Sequence, residues 1–145
     1  MIETRVEAII SKPIQSVFKY FYTLENQAEY NTSIKSASKI STPEGELPSF
    51  TIEIDLALFR LTDIYRVIEC KTNQFFVARC DHSLLCFEDR YEFEEIEGSS
   101  TKVKIYDRME LKGLLRLSEG LVKINLASQM KENLARVKLN IESRF

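Results

Sequence analysis

The stretch Leu114–Ile141, LLRLSEGLVKINLASQMKENLARVKLNI, decides how the rest of the chain is read. Leu114, Leu117, Leu121, Ile124, Ala127, Met130, Leu134, Val137 and Ile141 recur three or four apart, which predicts an amphipathic helix of roughly seven turns. A stripe that long is not stable alone in water and needs a surface to cover it. Gly120 weakens the helix locally and marks a place for a bend or a close approach.

Upstream, the covering surface reads as strands. Ile2 to Ile10 alternates, with Val6, Ala8 and Ile10 against Arg5, Glu7 and Ile9. Ser11-Lys12-Pro13 then punctuates, with Ser11 or Lys12 at a helix cap and Pro13 in the first turn, where its missing N–H costs nothing. Ile14, Val17, Phe18 and Phe21 give one short helix, and Thr23 caps a second that runs through Tyr30. Six further strands follow: Ser33 to Ser41, Phe50 to Leu58, Leu61 to Cys70, Phe75 to Cys80, Leu84 to Ile96 and Thr101 to Leu111. Their connections are short, which requires antiparallel neighbours, because parallel pairs need long crossovers. No linker or repeat interrupts the chain, so residues 1–145 are expected to form a single α+β domain.

Composition narrows the classes of function. The formal net charge is −2, and a general nucleic-acid binder needs a basic face for the phosphates. Charge is nevertheless uneven. Six acids against Arg90 alone lie between Glu88 and Glu97, whereas seven bases against three acids follow from Lys112 onward. This pattern fits a solvated surface on a monomer or a homodimer that joins opposite patches. No apolar run approaches the ~20 residues of a membrane span, so stable insertion is not expected. Met1-Ile2-Glu3-Thr4-Arg5 lacks the basic-then-apolar pattern of a secretory signal, and a cytoplasmic location is the expectation. Cys70, Cys80 and Cys86 read as free thiols on strands. Cys80, His82 and Cys86 form the one cluster with metal-ligand chemistry, but their spacing matches no structural zinc knuckle, and no metal is assigned. With four glycines at unrelated spacings there is no phosphate-cradling loop, and no cofactor is expected.

The run Val6-Glu7-Ala8-Ile9-Ile10-Ser11-Lys12-Pro13-Ile14-Gln15-Ser16-Val17-Phe18, the later Asp89-Arg90-Tyr91-Glu92-Phe93 and the amphipathic tail together resemble the START-like, or Bet v 1-like, superfamily (SRPBCC). The resemblance spans the chain and implies the helix-grip fold: a curved seven-stranded antiparallel sheet wrapped around a long C-terminal helix, with two short helices after the first strand. It also implies a pocket between the sheet and the last helix. Relatives include lipid carriers, polyketide cyclases, quinone-binding proteins and co-chaperone domains, so the fold alone does not choose among them. The chain has no tryptophan and its one histidine is His82, so cyclases that rely on those residues gain no support.

Pairing arithmetic gives an inner face. A two-residue loop at Phe59-Arg60 sets Leu58 opposite Leu61, Leu56 opposite Asp63, Ile54 opposite Tyr65 and Ile52 opposite Val67. Phe87, Asp89, Tyr91 and Phe93 alternate on the next hairpin, as do Val103, Ile105, Asp107, Met109 and Leu111. A loop at Glu97-Gly98-Ser99 sets Asp89 directly opposite Asp107. The expected pocket wall is therefore Ile52, Ile54, Tyr65, Val67, Phe76, Phe87, Asp89, Tyr91, Ile105, Asp107 and Met109, closed by Leu121 and Ile124 of the helix. Asp63, Asp89 and Asp107 interrupt apolar rows. They either meet a ligand or act as an acid or base, or they sit at the open end, or they pair with Arg66, Arg90 or Arg108. Asp89, Asp107 and Tyr91 are the candidates for proton transfer. Three functions stay open: a carrier for a small hydrophobic molecule such as a lipid, quinone or polyketide, a cyclase or dehydratase, and an interaction module with a filled core.

Overall fold

The computed structural model describes residues 1–56 and 59–144. Among them, β1 (Ile2–Ile10) is followed by α1 (Ile14–Tyr22), a 3-10 turn (Leu24–Asn26) and α2 (Gln27–Tyr30). Then come β2 (Ile34–Ile40), β3 (Ser49–Asp55), β4 (Arg60–Lys71), β5 (Phe75–Asp81), β6 (Leu85–Ile96) and β7 (Ser100–Leu111). A second 3-10 stretch (Gly113–Ser118) leads into α3 (Glu119–Arg144). The sheet has the order β1-β7-β6-β5-β4-β3-β2 with every pair antiparallel, so β2 to β7 each neighbour the next in sequence, β1 pairs with β7, and β1 and β2 are the two edges. This is the helix-grip arrangement.

The α1 entry differs in detail from the sequence reading. Pro13 itself occupies the N-cap in extended geometry, and no side chain caps the helix. The Ser11 N–H is instead taken by Glu142 at 2.9 Å. Thr23 does occupy the N-cap of the 3-10 turn, but its hydroxyl donates back to the Lys19 carbonyl at 2.8 Å instead of capping that turn.

Along its length, α3 is tied to β1. The Met1 ammonium meets Glu119 at 2.8 Å, Lys138 Nζ reaches the Ile9 carbonyl at 2.8 Å, and Glu142 holds Ser11. The spans agree: 23 helical steps from Glu119 to Glu142 cover about 35 Å, and ten extended steps from Met1 to Ser11 cover about 33 Å. The helix therefore runs beside the strand, in the same direction, with a contact at each end.

The buried face of α3 is not the full predicted stripe. Val122, Leu126, Leu134, Val137 and Ile141 are buried, with Asn133 among them, whereas Leu121 and Ile124 are exposed. The cause is arithmetic. Leu121, Ile124, Ala127 and Met130 follow three-residue steps, and at 3.6 residues per turn nine residues rotate by about 180° relative to a straight stripe. A row that starts at Leu121 has crossed the helix by Met130. Gly120 sits in the first turn with open space where a side chain would stand, so close packing does not explain it.

The β3–β4 register also departs from expectation. Ile54 pairs with Leu61, Ile52 with Asp63 and Phe50 with Tyr65, because four residues join the strands in place of two. The expected Leu58–Leu61 pair lies outside the described residues. Since the slip is even, every side chain keeps its face. A bulge between Val67 and Glu69 then bends β4.

One end of the concave face is filled by rings. Phe76 and Tyr91 stack at 4.5 Å, and Phe18 and Phe21 of α1 close on them at 5.9 and 5.7 Å. This plug confines the open space to the other end, between β6, β7, β1 and α3.

Candidate functional site

A cavity of about 70 Å³ remains between the sheet and α3. Of the expected wall, Ile54, Phe87, Asp89, Tyr91, Ile105, Asp107 and Met109 line it. Ile52, Tyr65, Val67 and Phe76 are buried but do not line it. Phe76 stands behind the α1 plug, and the shifted β3 register places Ile52 beside Asp63 and away from the void. Leu121 and Ile124 point outward; Leu126, Met130, Leu134 and Val137 supply the helix wall in their place. Asp63 is half-buried, and one of its carboxylate oxygens accepts the N–H of Ile64 at 2.7 Å, outside the cavity.

The 97–99 turn has the length that sets Asp89 opposite Asp107, and the two stand directly across β6 and β7. Their row continues to Ala78 on β5 and Thr4 on β1. Ala78 is small, and across it the Tyr65 hydroxyl donates to Asp89 Oδ2. Asp107 Oδ1 and Thr4 Oγ1 are both buried with no hydrogen-bond partner. Asp89 and Asp107 are direct neighbours across the two strands, and two buried carboxyls so placed disfavour each other's ionisation.

Among the described residues no Lys, Arg or His lines the cavity. Arg66 pairs with Asp81, Arg90 with Glu92 and Arg108 with Glu3, so the arginines weighed as partners for the buried acids are engaged on the outside. The electrostatic consequence is one-sided. Burial, then the charge of Asp89, pushes Asp107 well above the usual carboxylate range. Burial also raises Asp89, but the bonds from Asp107 and Tyr65 favour its charged form and offset part of the rise. Of the two, Asp107 is pushed further toward its neutral form. Burial likewise raises the phenols of Tyr65 and Tyr91, which stay protonated.

A polar belt that the pattern did not reveal completes the wall. Buried Gln27 donates through Nε2 to the Tyr91 hydroxyl at 3.1 Å. Asn31 Oδ1 accepts from Ser33 N at 3.0 Å and from Asn133 Nδ2 at 3.3 Å, and Ser33 Oγ meets Gln129 Oε1 at 3.0 Å. The Tyr30 hydroxyl is buried against the cavity without a hydrogen bond of good geometry. The signal available for Asn133 was its position: it lies seven residues after Leu126 and four before Val137, on the buried side. Gln27 lies three from Leu24 and three from Tyr30, the same kind of hidden helical position.

The metal-type donors do not converge. Cys80 is buried toward the core, whereas Cys86 pairs with Asp81 and so lies on the other face of the sheet. His82 Nδ1 accepts the Leu84 N–H at 3.0 Å within its loop.

No protein-family model matches the sequence, and no curated protein matches it. Solved structures do match. A protein from Thermus thermophilus superposes with a TM-score of 0.80 at 17% identity, covering 97% of each chain. A START superfamily protein from Mycobacterium smegmatis gives 0.76 at 16% identity, over 98% of this chain and 95% of that one. The Zhui aromatase/cyclase from a Streptomyces species gives 0.76 at 10% identity, over 98% and 94%. The class these likenesses define is one of architecture: the chain has the START/Bet v 1-like helix-grip fold.

Proposed function

We propose that the chain binds a small, largely apolar molecule with one neutral or cationic polar end, anchored at Asp107 and Asp89. The observation that carries this reading is a carboxyl pair inside an apolar cavity that contains no basic side chain. Such a pair repels a buried anion and favours a hydroxyl, carbonyl or ammonium group. The void is about 70 Å³, roughly half of the ~150 Å³ cavity known to admit benzene. It suits a polar end and a few carbons; a whole lipid or quinone requires α3, with its partly buried Met130, to move away from Leu56 at the rim.

The test is calorimetric titration with phenol, benzylamine and benzoate. Saturable uptake of phenol or benzylamine, with benzoate excluded and binding lost in Ile54→Trp while the fold persists, supports the proposal. Failure of both neutral and cationic probes to bind overturns it.

A second reading rests on the burial of Asp107 beside Asp89 in the cavity. A carboxyl whose surroundings favour its neutral form is a general acid in waiting, able to protonate a carbonyl or leaving hydroxyl during cyclisation or dehydration. Turnover of a β-hydroxy ketone that disappears in Asp107→Asn while binding persists would favour this reading over simple carriage.

A further inference from the structure

The apolar row that fails to enter the core is continuous on the surface. In the 3-10 stretch, residues three apart eclipse, so Leu114 and Leu117 project on one side. Leu121 and Ile124 extend that side along the first turns of α3. The four are 84%, 88%, 51% and 71% exposed, against buried Val122 and Leu126 on the opposite side of the same helix. Leu84, at the tip of the β5–β6 loop, is also exposed and borders the row, its Cδ2 3.7 Å from where a Gly113 side chain would begin. Four large aliphatic side chains held this far into water cost solvation free energy that the fold itself does not recover, which marks a contact surface.

Charge indicates what covers it. Within residues 112–124 the ionisable side chains are Lys112, Arg116, Lys123 and Glu119, and Glu119 is engaged by the Met1 ammonium. The row is thus flanked by three bases in a chain whose overall charge is −2. A symmetric second copy would bring these bases against their own images, because a twofold contact uses the same patch twice. An anionic bilayer satisfies both features, taking the leucines into the acyl boundary and the bases at the headgroups. Among the described residues no helix is long and apolar enough to cross a membrane, which fits a peripheral contact.

We propose that Leu114, Leu117, Leu121 and Ile124, with Lys112, Arg116 and Lys123, form a docking surface for anionic membranes. The location gives the contact a purpose. Leu126, on the inner side of the same turns, lines the cavity together with Leu56, so a bilayer held on the outer side lies beside the cavity's rim.

The experiment is flotation of the full chain with vesicles of phosphatidylcholine alone or mixed with phosphatidylglycerol. Association with the mixed vesicles that weakens in high salt and falls about tenfold or more in Leu117→Ser/Leu121→Ser supports the proposal. Arg116→Glu/Lys123→Glu should lose the preference for phosphatidylglycerol. These side chains are exposed, so unchanged circular dichroism and melting temperature confirm that both variants fold. No association with mixed vesicles, or association that the leucine variant retains, overturns the proposal. So does a dimer in sedimentation analysis that the leucine substitutions dissociate, since a second copy would then be the occupant. None of these outcomes depends on what the cavity binds.

Discussion

Asp89 and Asp107 face each other across neighbouring strands inside an apolar cavity, and the charge they share has no basic partner there. Tyr65 supports the pair from two strands away, reaching over Ala78 to donate to Asp89. Burying two carboxyls with no base beside them opposes folding, which is the pattern expected of a site rather than of a core.

The cost has a pH signature. Burial raises Asp107 in the folded protein above its unfolded value of ~3.9. The native state then binds more protons than the unfolded chain over the window from about pH 4 up to the folded value. The stabilisation is complete below the unfolded value and is lost as pH rises through the folded one. Asp107→Asn removes that loss. It should raise stability at pH 7, with the gain shrinking towards zero near pH 4. Urea unfolding at the two pH values measures it; equal destabilisation at both would mean that the carboxyl is paired and ionised.

Tyr65→Phe keeps the ring against Phe87 and deletes the donor to Asp89. Hydrogen bonds to charged groups contribute about 1.5–3 kcal/mol, and a loss in that range is expected at pH 7. In the same variant the Asp89 carboxyl should titrate at higher pH by carbon-detected NMR. A loss below about 0.5 kcal/mol with an unmoved titration would show that Asp89 does not depend on this bond.

The two sides of α3 should respond oppositely to truncation. Leu134→Ala opens space between helix and sheet and should cost about 2–5 kcal/mol. Ile124→Ala lies on the exposed side and should change stability by no more than about 0.5 kcal/mol. Comparable losses at both positions would mean that α3 buries both sides in solution.

Cys80 is fully buried, and burial followed by the charge of Asp63 pushes its thiol up to about 12. A thiol held in that state is inert as a nucleophile. Mass spectrometry after iodoacetamide treatment should find Cys80 modified only once denaturant is added. Labelling of the native protein at Cys80 would show that β5 opens locally.

Much of this architecture was legible in the residues. Alternation in β1, β6 and β7, short connections and the long amphipathic tail forced an antiparallel sheet over a helix, because two-residue and 3.6-residue periods each leave one face that must be covered. The 97–99 turn likewise set Asp89 against Asp107, since a tight turn dictates the register of both strands. Other features depend on contacts between segments far apart in sequence. Local period did not show which row of α3 enters the core, because two apolar rows share its first turns and the anchor of Glu119 on Met1 helps set the roll. Nor did it show that Gln27, Tyr30 and Asn133 would close the cavity, since α2 meets α3 only after the sheet has curled around both. The sequence by itself determined the elements, their order and the facing aspartates. The tertiary structure alone decided where the void lies and that no cation reaches it, because burial and charge pairing belong to the assembled surfaces rather than to any one strand.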